Sequence, residues 1–228
     1  MKYNLITKQG TTEEEINLDK LIVVGFAGKD IEKTMEHIHE LEAEGIKCPK
    51  SVPVVYQCSK ALLTTDKNID VIADKTSGEV EYLILVRDGK YHIGIGSDHT
   101  DRKLEAVSIH KSKQVCLKPY AKDFWAYDEI KAHFNEIKLV SSQVVDGKEV
   151  EYQSGVTSNL LPLERIIAEV EKEISTNNSL IYTGTVPLKD GFKFGDKFSC
   201  KLIDEKLNRE IALTRVYHQI KRKPYKSR

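Results

Sequence analysis

Several things are missing from this chain of 228 residues, and each absence narrows what it does. It has no net charge, because 35 lysines and arginines balance 35 aspartates and glutamates. Without a basic surplus there is no overall electrostatic footprint for nucleic acid. Only the C-terminus departs from the balance: Lys221, Arg222, Lys223, Lys226 and Arg228 cluster there. A short basic end of this kind reads as solvated. The four cysteines, Cys48, Cys58, Cys116 and Cys200, form no C-x-x-C pair and no zinc spacing. Free thiols in a reducing compartment are the expectation. No apolar run approaches the length of a membrane span, and no signal-like segment opens the sequence. The expected location is the cytoplasm, with no membrane partner. Repeats, low-complexity tracts and linker-like stretches are absent too. The simplest partition is a small N-terminal strand extension over residues 1–20 and one domain over 21–228.

What is present is a mostly β pattern. Leu21 to Phe26 reads as a buried strand reaching glycine at Gly25. From Val52 to about Tyr152, short apolar runs alternate with turn signals such as Asp88-Gly89 and Asp146-Gly147. Strands return at Leu180–Thr183, Lys197–Ile203 and Glu210–Tyr217. Helical spacing is clearest over Asp30–Glu44, through Ile31, Met35, Ile38 and Leu41, and over Leu163–Ser175, through Leu163, Ile166, Ile167 and Val170. A helical insertion is expected around Asp101–Lys111 and another over Tyr127–Phe134. Many strands and few helices predict an α+β, β-rich fold: a mixed roll or barrel with peripheral helices.

The most informative stretch runs from Gly78 to Glu105. Glu79 and Glu81 stand two apart, so in a strand their carboxylates share a face. Tyr82 to Val86 continue as an unbroken apolar run, the signature of a buried strand. A second strand follows the Asp88-Gly89 turn and leads to Asp98. Two readings stay open on the residues alone. The pair is either an exposed polar edge, or part of a trio of oxygen ligands for a hard divalent cation. Carboxylates at the buried end of a strand need a partner, since unpaired burial is costly.

Four segments, in order, resemble the fumarylacetoacetate hydrolase superfamily, in its C-terminal catalytic-domain type and an uncharacterised subgroup. They are Val24-Gly25-Phe26 with the loop and helix after it; Gly78-Glu79-Val80-Glu81, similar to the family's E-x-E strand; Ser97 to Glu105, similar to its N-D-x-[ST]-x-R-D-L-Q segment; and Tyr182-Thr183-Gly184-Thr185 followed by Phe194-Gly195-Asp196, similar to its T-G-T-P loop and later G-D. Together they span about residues 21–215. The resemblance implies a fumarylacetoacetase-like mixed β-roll that holds magnesium or manganese through Glu79, Glu81 and Asp98. It further implies a small-molecule 2-oxo acid as substrate, and a homodimer. Lys113 looks like the family's oxyanion lysine, with Lys111 and Lys118 as alternatives because the spacing to Pro119 is short. Arg102 and Glu105 match the family's Arg and Gln. Arg102 is expected to orient substrate or hold Asp98, and Glu105 puts a carboxylate where the family has a neutral amide. Gly184 and Thr185 are expected to hold the substrate carboxylate. His99 is read as structural, Asp30 as a helix cap, and Asp101 aligns with a small residue of the family.

The general base departs from the pattern. Where the family carries G-x-N-Y-x-x-H, this chain has Gly25 to Ile31, with Ile31 in place of the histidine. His37 and Glu40 follow six residues later, at a spacing that puts them side by side on a helix. They form a candidate displaced base dyad for activating water; a pair on a solvated helix face is the alternative. The leading expectation is a metal-dependent hydrolase that cleaves a C–C bond in an acylpyruvate-like 2-oxo or 1,3-dicarbonyl acid through a metal-chelated enolate. The alternatives are a decarboxylase, hydratase or tautomerase on the same scaffold, or a non-catalytic member that binds a small acid.

Overall fold

The structure is a computed structural model; it describes residues 1–43 and 49–220, without the side chains of His37, Glu40, Leu41 and Ala43. The basic run over 221–228 lies outside the described residues. Two β-sheets dominate. An eight-stranded sheet runs, in spatial order, Gly10–Glu15, Lys2–Thr7, Asp123–Ala126, Lys90–Ser97, Val80–Arg87, Ser179–Tyr182, Lys20–Gly25 and Val54–Cys58. Two of its pairings are parallel, Lys2–Thr7 with Asp123–Ala126 and Ser179–Tyr182 with Lys20–Gly25. A five-stranded sheet runs Lys148–Val156, Lys138–Val145, Lys197–Asp204, Arg209–Ile220 and Asn68–Ile72. Helices Ile31–Ala43 and Leu163–Glu171 are the longest of the described residues. The α+β, β-rich architecture expected from the strand pattern is the one observed.

The central strands of the large sheet are buried on both faces. Ile22, Val24, Val80, Tyr82, Ile84 and Ile181 point into the main core, which Phe198, Cys200, Leu202, Ile211 and Leu213 of the smaller sheet close from the other side. Leu21, Val23, Leu83, Leu85, Leu180 and Tyr182 point the other way. They cluster with Tyr3, Ile16, Leu18, Tyr120 and Phe124. This double burial is why residues 82–86 read as a continuous apolar run rather than an alternating one. Residues 1–20 supply the edge strand Gly10–Glu15, its neighbour Lys2–Thr7 and part of that second cluster.

Local chemistry sets the turns and helix ends. Asp88-Gly89 and Asp146-Gly147 each have positive φ at both positions, +50° and +71° in one and +51° and +75° in the other. That geometry joins two-residue hairpins whose twist matches the strands. Helix Leu163–Glu171 buries Leu163, Ile166, Ile167 and Val170, the stripe the spacing predicts, but stops short of Ser175. The insertion expected over Asp101–Lys111 is two short helices, Arg102–Glu105 and Ile109–Gln114. Two caps break it: Asp101 accepts from Leu104 N, and Ser108 restarts the second helix by accepting from Lys111 N. The segment expected as helix over Tyr127–Phe134 is one α turn, Tyr127–Ile130, followed by a 3₁₀ helix, Lys131–Glu136.

Candidate metal centre

The acidic strand Val80–Arg87 and its hairpin partner Lys90–Ser97 pair antiparallel, with Val80 opposite Ser97 and Glu81 opposite Gly96. Pairing continues one step past the strand ends, where Asp98 N donates to Glu79 O at 3.0 Å. That last bond brings Asp98 alongside the two glutamates. One carboxylate oxygen from each of Glu79, Glu81 and Asp98 lies within 4.8 Å of the others. Among the described residues no other trio of acidic, histidine or cysteine side chains converges in this way.

Each carboxylate is held by a different element. Glu81 Oε2 accepts from Gly184 N at 3.0 Å. The φ of +96° at Gly184 aims that amide at the strand, a conformation that disfavours any side chain. Glu79 Oε1 lies 3.0 Å from Arg102 Nη2. Asp98 carries two lysines: Lys113 on Oδ2 and Lys118 on Oδ1, the latter at 2.8 Å. Lys113 reaches inward from helix Ile109–Gln114. Lys118 is fully buried and also donates to His99 O at 2.5 Å. The broken helical insertion thus folds back so that its second half and the residues after it deliver both ammonium groups.

Arg102 meets three side chains. Its Nε donates to Ser77 Oγ at 2.7 Å, its Nη1 to Glu105 Oε2 at 2.9 Å, and its Nη2 faces Glu79. Phe192 stacks on the guanidinium, 4.4 Å from ring centre to Cζ. Of the carboxylates around it, Arg102 pairs with Glu79 and with Glu105 rather than with Asp98. Gly184 and Thr185 also meet the acidic strand. The Gly184 amide serves Glu81, and Thr185 Oγ1 donates to Val80 O at 2.7 Å. Both fix the acidic strand, because the loop continues along its edge instead of lifting away from it.

Lys111 is exposed and stays out of the centre. His99 is buried against Tyr217, ring centres 4.5 Å apart, and burial pulls its pKa down to about 3, so it stays neutral. Asp30 accepts from Lys33 N at 3.0 Å, as a cap does, and Asp101 caps the helix that carries Arg102. His37 and Glu40 lie on helix Ile31–Ala43, but their side chains are outside the described residues. Lys118 stands in the sequence only as an alternative to Lys113, and Ser77 and Phe192 do not stand out in it at all. None of these carries a local signal, since each is recruited across the fold.

The electrostatics suit a cation. Burial and the nearby Asp98 carboxylate push the Glu81 carboxyl well above the ordinary range, and burial also raises Glu79 despite Arg102. Burial acts the same way on Asp98, but Lys113 and Lys118 outweigh it and hold that carboxyl far below the usual range. Burial opposes the charge on Lys113, yet Asp98 and the glutamates keep its pKa above the ordinary lysine value. Two glutamates that burial and mutual repulsion drive toward protonation make an all-oxygen donor set short of positive charge. A hard divalent cation would supply that charge.

This fold is the fumarylacetoacetate hydrolase-like α+β fold. The chain superimposes on yeast ynq8, a fumarylacetoacetate hydrolase family protein, with TM-score 0.64 at 18% identity, over 92% of this chain and 97% of that one. It superimposes on 5-carboxymethyl-2-hydroxymuconate delta-isomerase from Mycobacterium smegmatis with TM-score 0.64 at 14% identity, covering 96% and 100% of the two chains. A 2-keto-3-deoxy-D-arabinonate dehydratase complexed with magnesium and 2,5-dioxopentanoate matches with TM-score 0.64 at 16% identity, over 95% of this chain and 79% of that one. No curated protein sequence matches. Within the fold, the chain belongs to the family DUF2848, described as a protein of unknown function, whose model matches residues 24–215.

Proposed function

We propose that this protein is a divalent-cation-dependent enzyme acting on 2-oxo or 1,3-dicarbonyl acids, and that its reaction is hydrolysis of a C–C bond in an acylpyruvate-like substrate. One observation carries the reading. Glu79, Glu81 and Asp98 converge from one hairpin while two buried lysines converge on Asp98. Magnesium and a dioxo acid bound together in a dehydratase of the same fold support it.

Magnesium or manganese held by Glu79, Glu81 and Asp98 would supply Lewis acidity toward a chelating 2-oxo acid. The chain's own groups do the rest. Lys113 keeps its proton and stands beside Asp98 as a fixed positive charge, suited to a developing oxyanion. Arg102 braces Glu79 through an ion pair while its Nε and Nη1 hold Ser77 and Glu105. In the hydrolytic step a base takes a proton from water, and the water oxygen adds to the acyl carbonyl. The bond from that carbon to the methylene then breaks, giving a carboxylic acid and a 2-oxo acid whose methylene takes up one proton. His37, oriented by Glu40, is the proposed base.

A second reading has its own support. Ile31 replaces the histidine of the related pattern, and decarboxylation, hydration or tautomerisation needs the cation and the lysines more than a water-activating base. The two readings separate on one experiment. The chain is loaded with Mg²⁺ or Mn²⁺ and assayed with an acylpyruvate and with oxaloacetate, as unaltered protein and as His37→Ala. Hydrolysis that falls at least about a hundredfold in the variant supports the dyad. Turnover indifferent to His37 supports the second reading. Metal binding with no turnover of either acid supports a non-catalytic, small-acid-binding protein.

A further inference from the structure

The ladder between Ser179–Tyr182 and the acidic strand stops at the pair Tyr182 and Leu83. Past that point the strand edge still carries backbone groups that need partners, because buried amides and carbonyls are costly when unpaired. Side chains meet them. Thr183 Oγ1 donates to Tyr82 O at 2.8 Å and Thr185 Oγ1 to Val80 O at 2.7 Å. Val80 N donates to Gln153 Oε1 at 2.9 Å. Gln153 comes from the other sheet and is fully buried. Its Nε2 donates to Thr185 Oγ1 at 2.7 Å and to Val186 O at 2.8 Å, and its Oε1 also accepts from Ser141 Oγ at 3.0 Å. Both donors and both acceptors of the amide are used, so one orientation alone satisfies the site.

Val80 sits between Glu79 and Glu81. Its amide and carbonyl are therefore the handles by which the spacing of the two carboxylates is set. We propose that Gln153 is the positioning residue of the metal centre: by tying Val80 to the loop Thr183–Val186, it fixes the separation of Glu79 and Glu81 while touching neither ion nor substrate. The same loop supplies the Gly184 amide that holds Glu81, so one side chain coordinates both the strand and its clamp. This inference rests on the cation reading above.

The test is isothermal titration with Mg²⁺ or Mn²⁺ alone, no substrate present, well below the melting temperature. Gln153→Leu keeps the volume and deletes all four bonds; its metal affinity is expected to fall about tenfold or more, the range known for groups that orient metal ligands. Ser141→Ala deletes one bond to the same amide but none to Val80 or the loop, and its affinity should stay within about twofold. A Gln153→Leu protein that melts earlier yet binds metal as tightly as before overturns the proposal, since a purely structural role has that signature. Should Gln153→Leu fail to fold, Thr185→Ala removes the hydroxyl that bridges Gln153 Nε2 and Val80 O. Unchanged metal affinity there overturns the proposal equally. If the unaltered chain binds neither ion, the cation reading itself falls, which is a different outcome from equal binding by both proteins.

Discussion

Lys118 sets its ammonium nitrogen 2.8 Å from Asp98 Oδ1, and both side chains are fully buried. With Lys113 on the other oxygen, Asp98 is clasped on both sides. Removing the negative charge would strand two buried cations. Asp98→Ala is expected to cost about 3–5 kcal/mol of stability, the usual penalty for breaking a buried ion pair from one side. It should also abolish metal binding. Urea unfolding and metal titration check both; a variant as stable as the parent would mean that the lysines find water or other partners.

Metal binding should depend on pH in a definite direction. Glu81 and Glu79 have carboxyl groups raised above their ordinary values, so the ion-free fold keeps those protons to higher pH than an unfolded chain does. Their contribution to stability is present below the unfolded carboxyl value and is lost as pH rises through the folded one. A divalent cation reverses the loss, because it favours the ionised forms. Excess Mg²⁺ should therefore raise Tm more at pH 7.5 than at pH 5, and binding at weakly acidic pH should release protons. Calorimetry in two buffers of different ionisation enthalpy measures that release, and an identical heat in both counts against shared carboxylate protons.

Asp98 behaves in the opposite sense. Its carboxyl is held far below the ordinary range by Lys113 and Lys118, against the effect of burial. Its contribution is present above the unfolded value and is lost as pH falls through the folded one. In the strongly acid range Asp98→Asn should therefore lose less stability than the parent per unit of pH. Acid titration of both proteins by circular dichroism compares the slopes.

Arg102 engages three partners through a planar fork that lysine cannot reproduce. Arg102→Lys should weaken metal binding about 10- to 100-fold, because Glu79 loses its brace. Phe192→Ala, which only uncovers one face of the guanidinium, should change affinity far less. Equal losses in the two variants would show that stacking rather than the fork holds Glu79.

Lys113→Met should bind metal and lower turnover of a 2-oxo acid by about a hundredfold or more, as loss of a fixed charge at a developing oxyanion does. Lys118, which bonds both Asp98 and the His99 carbonyl, should matter more for stability than for turnover. Paired measurements of kcat and Tm on the two variants separate these roles.

Much of the scaffold is legible in the residues. The two D-G hairpins, the buried stripe of helix Leu163–Glu171 and the strand Leu21–Gly25 follow from local φ preferences and apolar spacing. The spacing of Glu79 and Glu81 already places their carboxylates on one face, and the hairpin that follows already aims Asp98 toward them. The pattern over 101–111 predicts one helical piece where the structure has two, because Asp101 and Ser108 act as caps only once the chain turns at each.

The rest was decided between segments far apart in the sequence. Nothing near Arg102 says that it will brace Glu79 rather than Asp98. Nothing near Gln153 says that it will meet Val80, 73 residues away. Local pattern determined which strands exist, which residues face the core and where three carboxylates could gather, because those depend on backbone preference and a two-residue period. Which cation sits on which carboxylate, and which amide fixes their spacing, depended on two sheets packing face to face. Burial then made every unpaired polar group expensive, and only the assembled fold brought each one its partner.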